Sequence, residues 1–363
     1  MKKQIFPFAV ASLLLATLPG AADTITLKDG KVLEGKILKK EADAYVIEYK
    51  ANASGSIKET KRILRSDIEK ITEVRQDEVA FVELAKLMPT PDLLTAEDYA
   101  ERMQQVRAFL AKYPTGTRIK EAKELLAKLG DEAKVIEAGG RKIGGALVTG
   151  AEYRANAYDM DAQVLEAKIR QADKAGRTIE ALRAFTTLDA EFPGSVSQRA
   201  SIPIVVKMLH TLRGQVTESL NSFDKRMEKR DADLEGMGGS DRENVKQAID
   251  AQTAELEKRY QDEKAAGQQW VTPSSNHRQS LEDCSSLIDS ELSRLSDPSA
   301  SAAPAADPGK AFRTAFKAIK PGEKAEDVEK AISDAQSAGL PEKYVKMLEA
   351  AAAAEGFKVG SGS

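Results

Sequence analysis

The hydrophobic period of this chain changes once, close to residue 75, and the change limits what either side can build. Before it, TITLKDGKVLEGKILKKEADAYVIEYK alternates apolar and polar residues with a period near two, the pattern of half-buried strands. Ile25 and Leu27 alternate with Thr26 and Lys28, and Asp29-Gly30 supplies a two-residue hairpin turn. Val32-Leu33 and Ile37-Leu38 form a second strand bent at Gly35. Tyr45, Ile47 and Tyr49 form a third, and residues 57–64 and 68–74 supply two more around the turn Arg65-Ser66-Asp67. Five short strands over residues 23–75 predict a small SH3-like or Sm-like five-stranded β-barrel. Such barrels sometimes bind RNA, but no aromatic stacking motif accompanies this one, so no nucleic-acid partner is expected.

Beyond residue 75 the period lengthens to that of a helix. Val79, Val82, Leu84 and Leu87 start a short helix that stops at Pro89. Met103, Val106, Phe109, Leu110 and Tyr113 then follow helical spacing up to Pro114, and Ala122, Leu125, Leu126 and Leu129 carry a second helix, giving a first helical hairpin within residues 76–136. The pattern returns ungapped when Pro193 is laid on Pro114: Met103 meets Leu182, Val106 meets Phe185, Phe109 meets Leu188, Tyr113 meets Phe192, Ala122 meets Ser201, Leu125 meets Ile204, Leu126 meets Val205 and Leu129 meets Met208. Pro203 places the start of the second unit's later helix near Ser201. The corners at Tyr113-Pro114 and Phe192-Pro193 read as structural, the ring closing each hairpin and the proline ending its first helix.

Between the two units, residues 137–160 are too rich in glycine for a helix interior and predict a loop or small hairpin, extended over Ala146 to Thr149. Gly144-x-x-Leu147-Val148-Thr149 is echoed by Gly267-x-x-Trp270-Val271-Thr272. Residues 161–296 hold the second unit and then a long helical hairpin, broken at Gly236, Gly238 and Gly239, followed by a helix with Leu281, Cys284, Ile288, Leu292 and Leu295 along one stripe. A Pro/Ala linker is expected over residues 297–310, and a small, separately mobile helical domain over 311–356.

The first 22 residues read as a cleavable export signal: Lys2 and Lys3, an apolar run from Ile5 to Leu18, then small residues with cleavage expected between Ala22 and Asp23. A periplasmic or secreted protein with no transmembrane anchor in the mature chain is therefore expected. Charged residues make up 31% of the chain and aromatic residues 5%, and the formal net charge is -3, which suits exposed amphipathic helices and gives nucleic acid no strong attraction. Cys284 is the single cysteine, so no intramolecular disulfide can form.

No catalytic, cofactor or metal site is expected. His210 and His277 lack a cysteine or second histidine at metal-ligand spacing, and the glycine-rich stretch lacks a phosphate-loop ending. Acidic pairs such as Glu41/Asp43 and Asp231/Asp233 read as solvated faces, and Cys284 as a buried, inert thiol. Trp270 reads first as a plug between helices and second, with Tyr45 and Tyr49, as a platform for a glycan.

One short stretch carries a resemblance. Pro89-Thr90-Pro91-Asp92-Leu93, directly after the strand region, resembles the signature of the PTPDL family of exported bacterial proteins, which implies no particular activity. Phe109, Tyr113, Pro114 and Ala122, matched by Leu188, Phe192, Pro193 and Ser201, resemble tetratricopeptide-like (TPR-like) units of bacterial envelope proteins. The expected fold is thus mainly α with a small N-terminal all-β domain, and the expected function is a non-enzymatic scaffold that meets protein partners of the cell envelope through helical-repeat surfaces. A binding module for cell-wall glycan or an exported polymer is the alternative, and an uncharacterised hydrolase a third reading. The prolines of the signature read as a bracket that sets a joint, with Thr90 capping the next helix or, alternatively, Thr95 capping it with Asp98 three residues on.

Overall fold

The N-terminal alternation does fold into five antiparallel strands: β1 (Asp23–Leu27), β2 (Val32–Lys40), β3 (Ala44–Lys50), β4 (Lys58–Leu64) and β5 (Ile68–Thr72). The computed structural model describes residues 23–50, 58–297, 299, 302 and 306–358; the expected export signal lies outside them. The chain divides into two compact units, one holding the described residues up to Pro89 together with Glu97–Asp131, the other Thr90–Ala96 and the described residues from Glu132 onward.

In the first unit the strands form an open sheet in the order β4-β3-β2-β1-β5, which corrects the closed SH3-like or Sm-like barrel expected from the sequence. β4 and β5 are consecutive but lie on opposite edges, joined by the 3-10 turn Arg65–Asp67, and no ladder links them among the described residues. Alternation specifies strands and their buried face. Closure depends on tilt and register between the edge strands, which the alternation does not encode. The buried face carries Ile25, Leu27, Leu33, Ile47 and Ile63, flanked by Tyr45 and Tyr49. Gly35 serves close approach: a Cβ there would stand 2.1 Å from the carbonyl oxygen of Glu48 on β3. The irregularity in β2 falls later, between Ile37 and Lys39. Asp23 ties the middle of β2 to the segment after β5, its carboxylate accepting the N–H of Ile37 and of Val74, both at 2.8 Å.

The same unit holds α1 (Gln76–Ala85), α2 (Ala96–Lys112) and most of α3 (Ile119–Glu137). Leu84 of α1 is buried, but Val82 is 60% exposed and does not join the stripe expected of it. α1 is fixed to the α2–α3 turn by Asp77, whose carboxylate accepts the N–H and the hydroxyl of Thr117 at 2.6 and 2.9 Å. Burial alone would raise the Asp77 carboxyl; the Thr117 bonds and Arg75 outweigh it and hold it below the usual carboxylate range.

In the second unit a hairpin of β6 (Arg141–Ile143) and β7 (Ala146–Val148) turns at Gly144-Gly145. The glycine-rich stretch is a hairpin only to Val148. Thr149 then starts α4 (Gly150–Ala155) with a capping box to Glu152, and α5 (Ala157–Lys174) follows at once. The core is assembled from α5, α6 (Thr178–Glu191), α7 (Val196–Asn221) and α10 (Arg278–Leu295). α7 begins at Val196 rather than near Ser201, because Ser195 caps it by accepting the Gln198 N–H at 3.1 Å. Pro203 consequently lies inside a helix. An interior proline costs about 3 kcal/mol, offset here by a buried face that includes Ile202, Val205, Met208 and Leu209.

The repeated register holds in part: Met103, Tyr113, Leu126 and Ile204 are half-buried where their counterparts Leu182, Phe192, Val205 and Leu125 are buried, while the other four pairs agree. Val106 and Phe185, Phe109 and Leu188, Ala122 and Ser201, Leu129 and Met208 are all buried. The small residue at 201 also spends its hydroxyl locally, on the carbonyl of Ser197 at 2.8 Å.

The long hairpin is α8 (Phe223–Glu235) and α9 (Gly239–Ala265), neither of which buries any residue fully. α11 (Pro308–Ala318), α12 (Ala325–Ser337) and α13 (Glu342–Ala354) are not a separate body: Phe312, Val328, Ile332, Tyr344 and Leu348 lie in the same core as α5, α6 and α7. α11 also begins at Pro308, inside the stretch expected to be linker, with Asp307 as its cap. Among the described residues no helix is long and apolar enough to cross a membrane.

Candidate functional site

The signature segment finds its partners on the β6–β7 hairpin. The two carboxylate oxygens of Asp92 accept the N–H groups of Gly144 and Gly145 at 2.9 and 2.8 Å, and the Leu93 N–H donates to the Lys142 carbonyl at 2.9 Å. The Asp92 carbonyl accepts from the Gln171 side chain of α5 at 2.7 Å. Thr90 caps no helix. Its hydroxyl donates to Glu132 and accepts from Lys142 Nζ at 2.7 Å, and Lys142 also pairs with Glu132 at 3.3 Å, all three largely buried. α2 starts at Ala96, one residue after Thr95. A buried lysine is tolerable only when paired and hydrogen-bonded, and Thr90 and Glu132 meet that condition. Pro89 follows a cis peptide bond, and Leu93 has φ 61°.

Pro91 and Asp92 also wall a cavity of about 800 Å³ inside the second unit. One side of α5 forms its floor, where Asp159, Gln163, Glu166, Arg170 and Lys174 recur at three- and four-residue intervals on a single helical face. A second wall is the turn into α7, from Pro193 to Ser197, with Arg199. The third is the start of α11, with Asp307, Pro308 and Arg313. Gly309 permits that closeness: a Cβ there would stand 2.1 Å from Asp159 Oδ1.

Every carboxylate on these walls is held by the protein. Asp92 takes the two glycine N–H groups, Asp159 pairs with Arg313, Glu166 pairs with Arg170 at 2.7 Å, and Asp307 accepts the Lys310 N–H at 2.9 Å. Beside the cavity, Tyr158, Phe192 and Tyr344 form an aromatic cluster with ring centroids 5.0 to 6.1 Å apart. Burial pushes the Tyr158 phenol up to about 12. Asp161 clasps α5 to α13, accepting the Tyr153 hydroxyl, the Tyr344 hydroxyl at 2.7 Å and Lys343 at 2.9 Å. Burial works to raise the Asp161 carboxyl, but these three donors outweigh it and hold it low.

The residues singled out from the sequence are scattered. Pro91, Asp92 and Pro193 reach the cavity. Tyr113 is half-buried against Phe109 at 5.1 Å between centroids, next to Pro114, whereas Phe192 is buried in the aromatic cluster. Trp270 is 3% exposed and part of the core, so it presents no stacking face. Its carbonyl accepts two bonds from Arg183, at 2.9 and 2.7 Å, and Arg183 pairs with Glu263 at 3.0 Å. Tyr45 and Tyr49 pack at the edge of the sheet core, Tyr45 under the Arg65 guanidinium and Tyr49 donating to Glu59 at 2.9 Å. Trp270 lies in the second unit, Tyr45 and Tyr49 in the first.

The sequence echo has a common geometry. Thr149 gives its N–H and hydroxyl to Glu152 at 2.9 and 2.8 Å, and Thr272 gives both to Glu263 at 2.6 and 2.7 Å. His277 caps α10, its Nδ1 accepting the Ser280 N–H at 3.1 Å while Nε2 faces Glu257 at 2.9 Å. Glu41 and Asp43 both hold Arg62 at 2.8 Å. Among the described residues no three histidine, cysteine or acidic side chains converge as a metal site.

The α5 stripe and Arg199 were missed by the sequence reading, although two signals for them exist: the polar period along AYDMDAQVLEAKIRQADK and the Ser195-x-x-Gln198 cap. No family model, curated protein or solved structure matches this chain, so the resemblance to the PTPDL family rests on residues 89–93 and their position, and the TPR-like resemblance on the repeated register.

Proposed function

We propose that this chain is an exported, non-enzymatic binding protein whose recognition site is the cavity between the signature segment, α5, the start of α7 and the start of α11. The observation that carries the reading is the pairing of a cavity of about 800 Å³ with walls whose carboxylates are all engaged internally. That size suits a drug-sized ligand, and fixed, internally paired walls favour holding a ligand over exchanging protons with it. Residues 1–22 support export through their basic start and apolar run. The test is native mass spectrometry of the protein isolated from its own compartment, wild type beside Ala167→Trp, which fills the cavity. A bound mass on the wild type that the variant lacks supports the reading, and an identical mass on both overturns it.

A protein-interaction scaffold is the second reading, and one observation favours it. α8 and α9 keep no side chain fully buried, leaving Val245 36% exposed with Met227, Leu234 and Leu256 half-exposed. Crosslinking from Val245 in cells would return a single protein partner on that reading; its absence would leave the cavity as the working surface.

A further inference from the structure

We propose that the cavity takes an extended, uncharged stretch of peptide and reads it through its main chain. The inference deepens the cavity reading and rests on it. Three side-chain amides line the space: Asn156, Gln163 and Gln171. Asn156 spends its Nδ2 on the Glu152 carbonyl at 2.9 Å, and Gln171 its Nε2 on the Asp92 carbonyl at 2.7 Å, so each keeps its amide oxygen. Gln163 is half-buried and has no hydrogen-bond partner among the described residues. A side-chain amide offers a donor and an acceptor together, the same pair that a peptide group offers.

The charges of the lining balance. Asp159 pairs with Arg313 and Glu166 with Arg170. Asp92 and Asp307, held by backbone N–H groups, offset Lys174 and Arg199. A lining without net charge selects neither an anion nor a cation. Its carboxylates still have lone pairs for an N–H, and its cations still have N–H groups for a carbonyl. A chain of alternating N–H and C=O groups meets both kinds of group without a charge of its own.

The dimensions agree. Asp159 and Lys174 mark the two ends of the α5 floor, about 22 Å apart at 1.5 Å per residue. An extended chain covers that length in about six residues. Ile143, Met160, Ala162, Ala167 and Val196 add apolar lining for small side chains. A glycan fits less well. The aromatic residue of the lining, Tyr158, is 2% exposed and packed against Phe192 and Tyr344, so it opens no face to a sugar ring.

The test is amide-shift titration of the isotope-labelled full chain, read at the side-chain NH2 signals of Asn156, Gln163 and Gln171. Three probes are compared: the neutral hexapeptide N-acetyl-(Ala-Ser)3-amide, the same peptide with every second peptide nitrogen methylated, and maltohexaose. The hexapeptide is expected to move all three signals, with the methylated peptide and the sugar at least about tenfold weaker. Gln163→Met, which keeps the length of the side chain, should weaken the hexapeptide about tenfold, with the rest of the spectrum showing the fold intact. Equal binding of the methylated peptide overturns main-chain reading. Stronger binding of maltohexaose at the same signals overturns the peptide assignment and keeps the cavity as recognition site. Main-chain reading does not depend on side chains, so hexapeptide shifts away from the cavity, or none up to about 10 mM, overturn the inference outright; the cavity reading itself still stands or falls on the Ala167→Trp comparison.

Discussion

Replacing Asp92 with asparagine isolates what the signature segment does for the hairpin. The carboxylate accepts two backbone N–H groups with its two oxygens, from Gly144 at 2.9 Å and Gly145 at 2.8 Å. Asparagine keeps one acceptor, now neutral, and turns an NH2 donor toward the other N–H. A hydrogen bond to a charged group contributes about 1.5–3 kcal/mol. Asp92 is half-exposed, so the lower end applies: one bond lost and one weakened comes to about 2 kcal/mol. For a unit of more than about 150 residues each kcal/mol lowers Tm by about 2–4 °C, so a fall of about 4–8 °C is expected. The sharper assay is hydrogen exchange at Gly144 and Gly145, which should speed up about 30-fold in Asp92→Asn, since 1.4 kcal/mol is tenfold. Unchanged exchange at both glycines would refute the claim that Asp92 holds this turn.

Gly35→Ala should destabilise the sheet by more than about 2 kcal/mol, because the new Cβ meets backbone rather than a side chain that could move; circular dichroism melts of the first unit's strand signal check this, and an unchanged melt contradicts it. Asp161 is held low by its three donors, so its contribution is complete above the unfolded carboxylate pKa and is lost as pH falls through the lower folded value. Asp161→Asn should therefore lower stability at neutral pH, and the gap from wild type should close in strong acid; a gap independent of pH sinks the assignment. Cys284 is buried, and burial pushes its thiol up to about 12, so a thiol reagent should react only after unfolding. Trp270 is the single tryptophan, and with 3% exposure its emission should be blue-shifted and protected from iodide; strong quenching would restore the platform reading.

Local features of this fold were legible wherever one short-range rule decided them. Alternation around Ile25, Ile47 and Ile63 revealed strands and their inner face, and the Pro114/Pro193 register found buried positions at both members of four pairs, while Met103, Tyr113, Leu126 and Ile204 stay half-buried. Closure was not legible, because whether β4 meets β5 depends on geometry accumulated across all five strands. Pro203 misled because Ser195, eight residues earlier, caps the helix and the buried face carries it past the proline. Trp270 read first as a plug between helices and lies in the core; what spacing did not show is that Arg183, 87 residues earlier, holds its carbonyl. The signature segment read as a joint, and its longest-range partner, Gln171, could not be found from spacing alone. Of the cavity, only Pro91, Asp92 and Pro193 had been singled out, since its walls come from stretches more than a hundred residues apart.

Recognition in the cavity, not on the α8–α9 hairpin, is tested most directly by hydrogen exchange of the protein with and without the molecule released from it on denaturation. Slowed exchange at Gly144, Gly145 and the first turn of α7, with α8 and α9 unchanged, is the expected result. Protection confined to α8 and α9 would contradict it.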